Sequence, residues 1–128
     1  MKTDGTKILV VDDEVGYRKV LNNALTERGF IVKTAASGEE ALEELKKQEF
    51  PIVIVDMKLP GGIDGLELLQ RVKGMYNSSI LIMTAYGGIE TAVEAMRRGA
   101  FNYITKPFNL DEIILNIDRL IAQQKIIE

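Results

Sequence analysis

The stretch Ile52-Val53-Ile54-Val55-Asp56 decides the predicted fold, because four consecutive apolar β-formers end on one carboxylate. An apolar run without polar alternation is typical of a strand covered on both faces, as in a parallel sheet between two layers of helices. The carboxylate then lies at the carboxyl edge of the sheet, where open α/β folds place their ligands. Asp56 is therefore a candidate nucleophile, although this stretch alone leaves open that it only caps the next turn.

Similar apolar segments recur along the chain, and helical patterns separate them. The predicted strands are Lys7–Val11, Phe30–Ala35, 52–55, Ser79–Met83 and Phe101–Ile104. Helix starts are predicted at Asp12-Asp13-Glu14, at the capping box of Ser37 and Glu40, at Asp64 and at Asn109. This alternation predicts βαβ units with right-handed crossovers. Five units are too few for an eight-stranded barrel, so we predict an open parallel sheet with five helices on both faces.

Apolar residues at helical spacing predict the buried face of each helix. In the third and fourth helices these are Leu68, Leu69, Val72 and Met75, and Ile89, Ala92, Val93 and Met96. In the last helix, the residues assigned to the core are Ile113, Ile117, Leu120 and Ile121, which leaves over Ile114, Leu115, Ile126 and Ile127. A heptad-like seam there predicts a coiled coil that continues into a linker, or else ordinary amphipathicity; it consists of Ile113, Ile117, Leu120, Gln124 and Ile127.

The composition excludes several kinds of chemistry. The chain contains no cysteine and no histidine, which excludes disulfides, thiolate nucleophiles, imidazole bases and the usual zinc sites. A bound metal would be a hard cation such as magnesium or calcium. The net charge is −3 and no basic cluster exceeds Arg97-Arg98, which argues against nucleic-acid binding. No apolar run approaches the roughly 20 residues of a membrane span, so we expect one cytoplasmic domain.

Polar residues follow four of the predicted strands. Asp12 and Asp13 follow the first, Asp56 the third, Thr84 the fourth and Lys106 the fifth. Because the carboxyl ends of parallel strands meet at one edge, these side chains should converge. Three carboxylates would repel each other unless a cation lies among them, and a cation, an ammonium and a hydroxyl around one carboxylate suit phosphoryl transfer. Taken singly, the same residues are also ordinary helix-start acids, a strand-end cap and a solvated lysine.

Taken in order, these residues resemble a known family. The pair Asp12-Asp13, the run Asp56-Met57-Lys58-Leu59-Pro60, Thr84-Ala85 and Lys106-Pro107-Phe108 are in the register of receiver domains of two-component response regulators. The resemblance covers about residues 7–122, so we interpret 1–128 as a single receiver domain and 123–128 as the start of a linker helix. Residues 83–87 and 92–108 are most similar to the nitrogen-regulatory type, in which an AAA+ sigma-factor activator and a DNA-binding domain follow the receiver. The resemblance implies a flavodoxin-like receiver fold with strand order 2-1-3-4-5.

The resemblance also implies the chemistry of the acidic residues. Asp56 would accept a phosphoryl group from a phosphohistidine of a partner sensor histidine kinase. Magnesium would be bound directly by Asp13, by Asp56 and by the backbone carbonyl of Lys58, and through water by Asp12. The chain would then be a signalling phosphoacceptor that catalyses only its own phosphorylation and dephosphorylation.

The remaining residues would bind the phosphoryl group and transmit the signal. Thr84, the Ala85 amide and Lys106 would hold the phosphoryl oxygens, and the bond from Lys106 to Pro107 would be cis. Tyr103 would move inward with Thr84, although a half-buried core aromatic explains Tyr103 equally well. We predict that the surface of helix 4, strand 5 and helix 5 responds to phosphorylation. That surface would form a homodimer and control an output domain or downstream protein, and thereby transcription.

The sequence departs from the family in one loop and bears on two alternative functions. Gly61-Gly62-Ile63 contains one residue more than the family usually has, which puts the start of the third helix and partner contacts in doubt. A phosphatase with a carboxylate nucleophile usually has an acid two residues later, where this chain has Lys58. A nucleotide-binding module would need a glycine-rich phosphate loop, which the sequence lacks.

Overall fold

The computed structural model describes residues 5–85 and 88–127, and residues 124–127 as backbone only. Strands and helices alternate along the chain in the order β1 Lys7–Val11, α1 Val15–Glu27, β2 Ile31–Ala35, α2 Gly38–Lys47, β3 Ile52–Asp56, α3 Gly65–Met75, β4 Ser79–Thr84, α4 Ile89–Arg97, β5 Asn102–Thr105 and α5 Leu110–Ile127. All pairings between strands are parallel, and the order in the sheet is β2-β1-β3-β4-β5. The predicted fold class, sheet type and strand order are confirmed.

The sheet separates two hydrophobic clusters, because alternate residues of each strand point to opposite faces. On one face, Leu9, Val53 and Ile80 pack with α2, α3 and α4. On the other face, Ile8 and Ile52 lie with α1 and α5. Every residue of β3 is buried, as its unbroken apolar sequence predicts. The strand that carries Asp56 is therefore the most enclosed element of the sheet.

Several element boundaries differ from the predictions by one residue. The second strand begins at Ile31 rather than Phe30, the fifth is Asn102–Thr105 rather than 101–104, and the fourth includes Thr84. Phe30 belongs instead to the end of α1, since its N–H donates to the Leu25 carbonyl at 3.2 Å. Gly29, at φ 96°, provides the left-handed turn that this helix ending requires.

The predicted buried face of α4 is confirmed at Ala92 and wrong at its three large apolar residues. Ala92 and Ala95 are fully buried, whereas Ile89, Val93 and Met96 are 63%, 47% and 38% exposed. The helix packs against the sheet through its small residues, so its large apolar residues form an outward stripe. Spacing alone cannot tell these two adjoining faces apart, because both recur every three or four residues.

The prediction for the last helix is partly wrong as well. Ile113, Ile117 and Leu120 lie in the core as predicted, but Ile114 is also buried, and only Leu115 of the surplus residues described is exposed. Since the first three positions of the heptad-like seam are buried against the sheet, they are not free to meet a second helix. Gln124, Ile126 and Ile127 lie outside the described side chains. Met75 of α3, predicted to face the core, is 67% exposed.

No helix in the described part of the chain combines the length and the apolar character of a membrane span.

Candidate functional site: an acidic cluster at the sheet edge

The predicted site residues meet at the carboxyl edge of the sheet. Asp12 follows β1, Asp56 ends β3 and Lys106 follows β5. β1 and β3 are adjacent, with Val11 beside Val55, so their ends bring the two carboxylates together. β4 lies between β3 and β5, and Lys106 reaches across its end. The structure therefore brings together Asp12, Asp56 and Lys106, as the topology of the sheet predicts.

Lys106 is the centre of this cluster. Its Nζ donates to Asp56 Oδ2 at 3.0 Å and lies 2.7 Å from Asp12 Oδ2 and 3.6 Å from Glu14 Oε1. The peptide bond from Lys106 to Pro107 is cis, as predicted. Burial acts to lower the pKa of Lys106, but the neighbouring carboxylates of Asp12 and Asp56 outweigh it and hold the pKa above its ordinary value. Lys106 is therefore a fixed positive charge.

Asp56 is 6% exposed, and both of its carboxylate oxygens are engaged. Oδ1 accepts the backbone N–H of Lys58 at 3.2 Å, and Oδ2 accepts from Lys106. Burial raises the pKa of Asp56, and the charge of Asp12 adds to this, against the hydrogen bonds from Lys106 and Lys58. The carboxylate is thus held in a fixed orientation but is poorly solvated, a combination that favours a reactive group over a structural one.

Four acidic side chains could together hold a metal ion. Each of Asp12, Asp13, Glu14 and Asp56 offers an oxygen, and these oxygens all lie within 4.8 Å of one another. Asp12 is fully buried, and its Oδ2 makes no hydrogen bond of standard geometry within the described residues, so only the charge of Lys106 compensates it. A set of carboxylate oxygens containing one such under-satisfied atom fits a hard divalent cation.

Thr84 lies beside the cluster, since its carbonyl accepts the Lys106 N–H at 2.8 Å, but the predicted roles of Thr84 and Tyr103 stay predictions. Thr84 is buried at the end of β4, and its hydroxyl lies 3.5 Å from the Ala85 carbonyl and 3.4 Å from that of Gly88, long for hydrogen bonds. The hydroxyl therefore faces the start of α4. Tyr103, in the middle of β5, is half-buried against the cluster that contains α4. The roles of the Ala85 amide and the Lys58 carbonyl also stay predictions.

Three residues at the site were not predicted from the sequence. Glu14 reaches Lys106, and Arg18 Nη1 donates to the Asp12 carbonyl at 2.8 Å. The ring of Tyr17 lies over Lys106, with Nζ 4.1 Å from its centroid. All three lie in or just before the first turn of α1, within one or two turns of the acidic pair. Their nearness to Asp12 and Asp13 in the sequence was the signal that could have identified them.

The loop with the extra residue is anchored to α2. Ile63 is buried against Gly38, and the Gly62 N–H donates to a carboxylate oxygen of Glu39 at 3.0 Å. Asp64 still caps α3, because its carboxylate accepts the N–H of Glu67 at 2.9 Å. The insertion therefore leaves the predicted start of the third helix in place.

Several known proteins are similar to this chain in fold and in sequence. A family model of the response regulator receiver domain matches residues 8–118. Sporulation initiation phosphotransferase F of Bacillus subtilis is 42% identical over 108 residues, which cover 84% of this chain and 86% of that protein. The DNA-binding transcriptional regulator NtrC of Klebsiella pneumoniae is 39% identical over 114 residues, which cover 88% of this chain and 24% of NtrC. The crystal structure of the receiver domain of NtrX from Brucella abortus matches with a TM-score of 0.86 at 38% identity, over 90% of this chain and 98% of that one.

The fold and the acidic edge define a parallel α/β domain with a cluster of carboxylates around Lys106 at the carboxyl edge of its sheet. The chain belongs to the response regulator receiver domain family of two-component signalling. The general function of this family is to receive a phosphoryl group on an aspartate. The chain spans less than a third of the length of the transcriptional regulators that it matches.

Proposed function

We propose that Asp56 accepts a phosphoryl group from a phosphohistidine of a sensor histidine kinase. The observation that carries this proposal is the position of Lys106, whose ammonium donates to the buried Asp56 carboxylate inside an acidic cluster. Residues 1–128 contain no histidine, so none of them can be the phosphohistidine donor. The chain would act as a signalling phosphoacceptor and not as an enzyme with external turnover.

The proposed step forms one bond and breaks one. A carboxylate oxygen of Asp56 bonds to phosphorus while the bond from phosphorus to the donor nitrogen breaks, and that electron pair stays on the imidazole of the kinase. The product is an acyl phosphate. Lys106 would pair with a phosphoryl oxygen, and Thr84 and the Ala85 amide would donate to the others. These groups stabilise the charge that spreads over the phosphoryl oxygens during transfer.

The acidic side chains would hold a magnesium ion for this step. Asp13 and Asp56, with the Lys58 carbonyl, would bind it directly, and Asp12 would bind it through water. The ion would supply positive charge next to the phosphoryl oxygens. The support is the set of oxygens within 4.8 Å of one another and the under-satisfied oxygen of Asp12. A phosphatase fits less well, because the side chain two residues after Asp56 is Lys58, a poor proton donor at neutral pH.

Labelling with a small phosphodonor tests this proposal. Incubation with acetyl phosphate and Mg²⁺ should add one phosphoryl group to the intact mass, because the site itself supplies the electrostatic stabilisation. Asp56→Asn should abolish the mass increase, whereas Asp118→Asn, a matched change at an exposed aspartate of α5, should not. Labelling of Asp56→Asn at the rate of the unchanged chain would overturn the assignment.

We also propose that phosphorylation is transmitted through the surface of α4, β5 and α5 to a second copy of the chain. The apolar stripe of Ile89, Val93 and Met96, together with the exposed Leu115, supports this surface. The Thr84 hydroxyl, at the end of β4, faces the start of α4, and Tyr103 lies within β5, so both would move with this surface. Sedimentation with and without a beryllofluoride mimic should show a dimer only with the mimic. A monomer in both states would show that the stripe contacts a different partner, such as an output domain.

A further inference from the structure

Tyr17 contacts the same Lys106 ammonium that pairs with the carboxylates. Its ring centroid lies 4.1 Å from the Lys106 Nζ, within the range of a cation–π contact. The same ammonium lies 2.7 Å from an Asp12 oxygen and 3.0 Å from an Asp56 oxygen. The ammonium is therefore held between two carboxylate oxygens and one aromatic face.

The ring is itself held in place by packing. Its centroid is 5.2 Å from that of Phe108, with the two planes inclined at 46°, and Phe108 packs on the hydrophobic cluster beneath α1 and α5. The ring also lines an open, mostly apolar groove together with Val20, Pro107 and Leu110. Tyr17 thus contacts Lys106 and contributes to this groove.

This arrangement restricts a side chain that otherwise has many conformations. A lysine has a flexible four-carbon stem and about 2 kcal/mol of rotamer entropy, so ion pairing alone leaves its head group mobile. Here three carboxylates compete for the ammonium, those of Asp12, Glu14 and Asp56. The ring face of Tyr17 attracts the charge without offering it a competing anion, and so favours the conformation in which the ammonium lies beside Asp56.

We propose that Tyr17 is a positioning residue for phosphoryl transfer, because its ring holds the Lys106 ammonium beside Asp56. This inference rests on the proposed function. The ring does not touch the reacting atoms and acts only through the lysine. Its hydroxyl has no part in the contact, so phenylalanine should replace tyrosine and an aliphatic residue should not.

Nuclear magnetic resonance of the metal-free protein tests the contact without any phosphorylation. The ε-methylene protons of Lys106 should be shifted upfield by the ring, and Tyr17→Leu should return them to ordinary values. Ordinary shifts in the unchanged chain would overturn the proposal, and this measurement requires no variant to fold.

Rates of labelling by acetyl phosphate test the consequence. Tyr17→Leu should slow labelling by about threefold to thirtyfold, the range that a partly desolvated cation–π contact supplies. Tyr17→Phe should restore the rate. Val20→Ala, which alters an exposed residue of the same groove, should leave it unchanged. Equal rates for Tyr17→Leu and the unchanged chain would overturn the inference, as would a Val20→Ala rate as slow as that of Tyr17→Leu.

A comparison in which Lys106 is replaced by methionine separates positioning of the ammonium from general packing by the ring. In Lys106→Met, Tyr17→Leu should cause no further loss, because the ring has no ammonium to hold. A full additional loss there would mean that Tyr17 acts through the shape of the site and would overturn the proposal. Failure of the unchanged chain to be labelled at Asp56 would instead refute the proposed function, while the chemical shifts of Lys106 would still test the contact.

Discussion

Gly88 offers a direct test of where Thr84 points. Gly88 is the N-cap of α4, and its φ of −88° is open to any residue, so alanine suffers no backbone strain there. A Cβ at this position would, however, overlap the Thr84 hydroxyl oxygen and lie 3.1 Å from the Ala85 carbonyl. Gly88→Ala therefore forces the Thr84 hydroxyl to rotate or α4 to shift.

The expected magnitude follows from these contacts. Thr84 is 3% exposed, so the displaced hydroxyl must find room inside a packed interior. Overpacking of this kind typically costs about 1–3 kcal/mol. The two hydrogen bonds that the hydroxyl would leave are long, at 3.5 and 3.4 Å, and their loss adds little. Alanine is also a poorer N-cap than glycine, by roughly 0.5 kcal/mol. We expect a total loss of about 2–3 kcal/mol.

Urea unfolding of five chains measures this loss and assigns its cause: the unchanged chain, Gly88→Ala, Thr84→Ala, the double variant and the control Gly74→Ala. Gly88→Ala should lower the unfolding midpoint by about 1 M or more, given slopes of about 1–3 kcal/mol/M for small domains. In a Thr84→Ala background the hydroxyl is absent, so Gly88→Ala should then cost less than about 1 kcal/mol. Gly74→Ala is the matched control, because its Cβ meets nothing within 4 Å, and it should stabilise α3 by about 0.5–1 kcal/mol.

Two results would refute this reasoning. If Gly88→Ala cost as much in the Thr84→Ala background as alone, the hydroxyl would not be the obstacle, and its orientation toward α4 would be wrong. If Gly88→Ala stabilised the chain as Gly74→Ala does, the start of α4 would lie farther from β4 than the structure places it.

Three further predictions concern the acidic cluster and the loop beside it. Mg²⁺ at about 100 times its dissociation constant should raise the free energy of unfolding by about 2.7 kcal/mol; an equal gain in Asp13→Asn would contradict the assigned ligands. Burial raises the pKa of Asp56 in the folded state. Ionisation of this carboxyl therefore destabilises the fold as the pH rises above about 4, the ordinary pKa of aspartate. Asp56→Asn should therefore unfold at higher urea than the unchanged metal-free chain at pH 7, with the difference shrinking toward pH 4, and a less stable variant at pH 7 would contradict this. Glu39→Ala should speed hydrogen exchange at the Gly62 amide, since the carboxylate accepts that N–H, and unchanged exchange would show that the loop is held otherwise.

The sheet and the core of the site could be predicted because both depend on strong, local signals. The apolar run of β3 has no alternative partner for its two faces, and parallel strands bring their carboxyl ends to one edge whatever the loops do. Asp12, Asp56 and Lys106 meet for that reason alone. Asp64 and Ser37 were equally predictable as caps, because each accepts an N–H three residues ahead.

Side-chain packing was harder to predict, because spacing fixes the period of a pattern but not which stripe is buried. In α4, Ala92 and Ala95 allow the helix to approach β4 closely, and this leaves Ile89 and Val93 outside. The contact of Tyr17 with Lys106 joins residues almost ninety positions apart in the chain. It depends on how α1 lies beside the loop after β5, which no local pattern contains.

The position of Lys106 in the sheet suggests how one covalent change could reach α4. Lys106 follows the edge strand β5, while Asp12 follows β1 and Asp56 ends β3, on the far side of β4. A phosphoryl group on Asp56 would offer Lys106 new oxygens and weaken its pull on Asp12. The attraction across the end of β4 would then change, and the residue at that end is Thr84, whose hydroxyl makes only long contacts toward α4. The hydroxyl of Thr84 can turn toward the phosphoryl group at small cost only because its present hydrogen bonds are long. The turn also requires that Lys106, which pairs with Asp12 and Asp56 across the end of β4, changes its contacts. For this reason, the surface of α4 should not respond to beryllofluoride in Lys106→Met or in Thr84→Ala. Amide chemical shifts of residues 89–97 measure this response. Shift changes in either variant equal to those of the unchanged chain would refute this coupling.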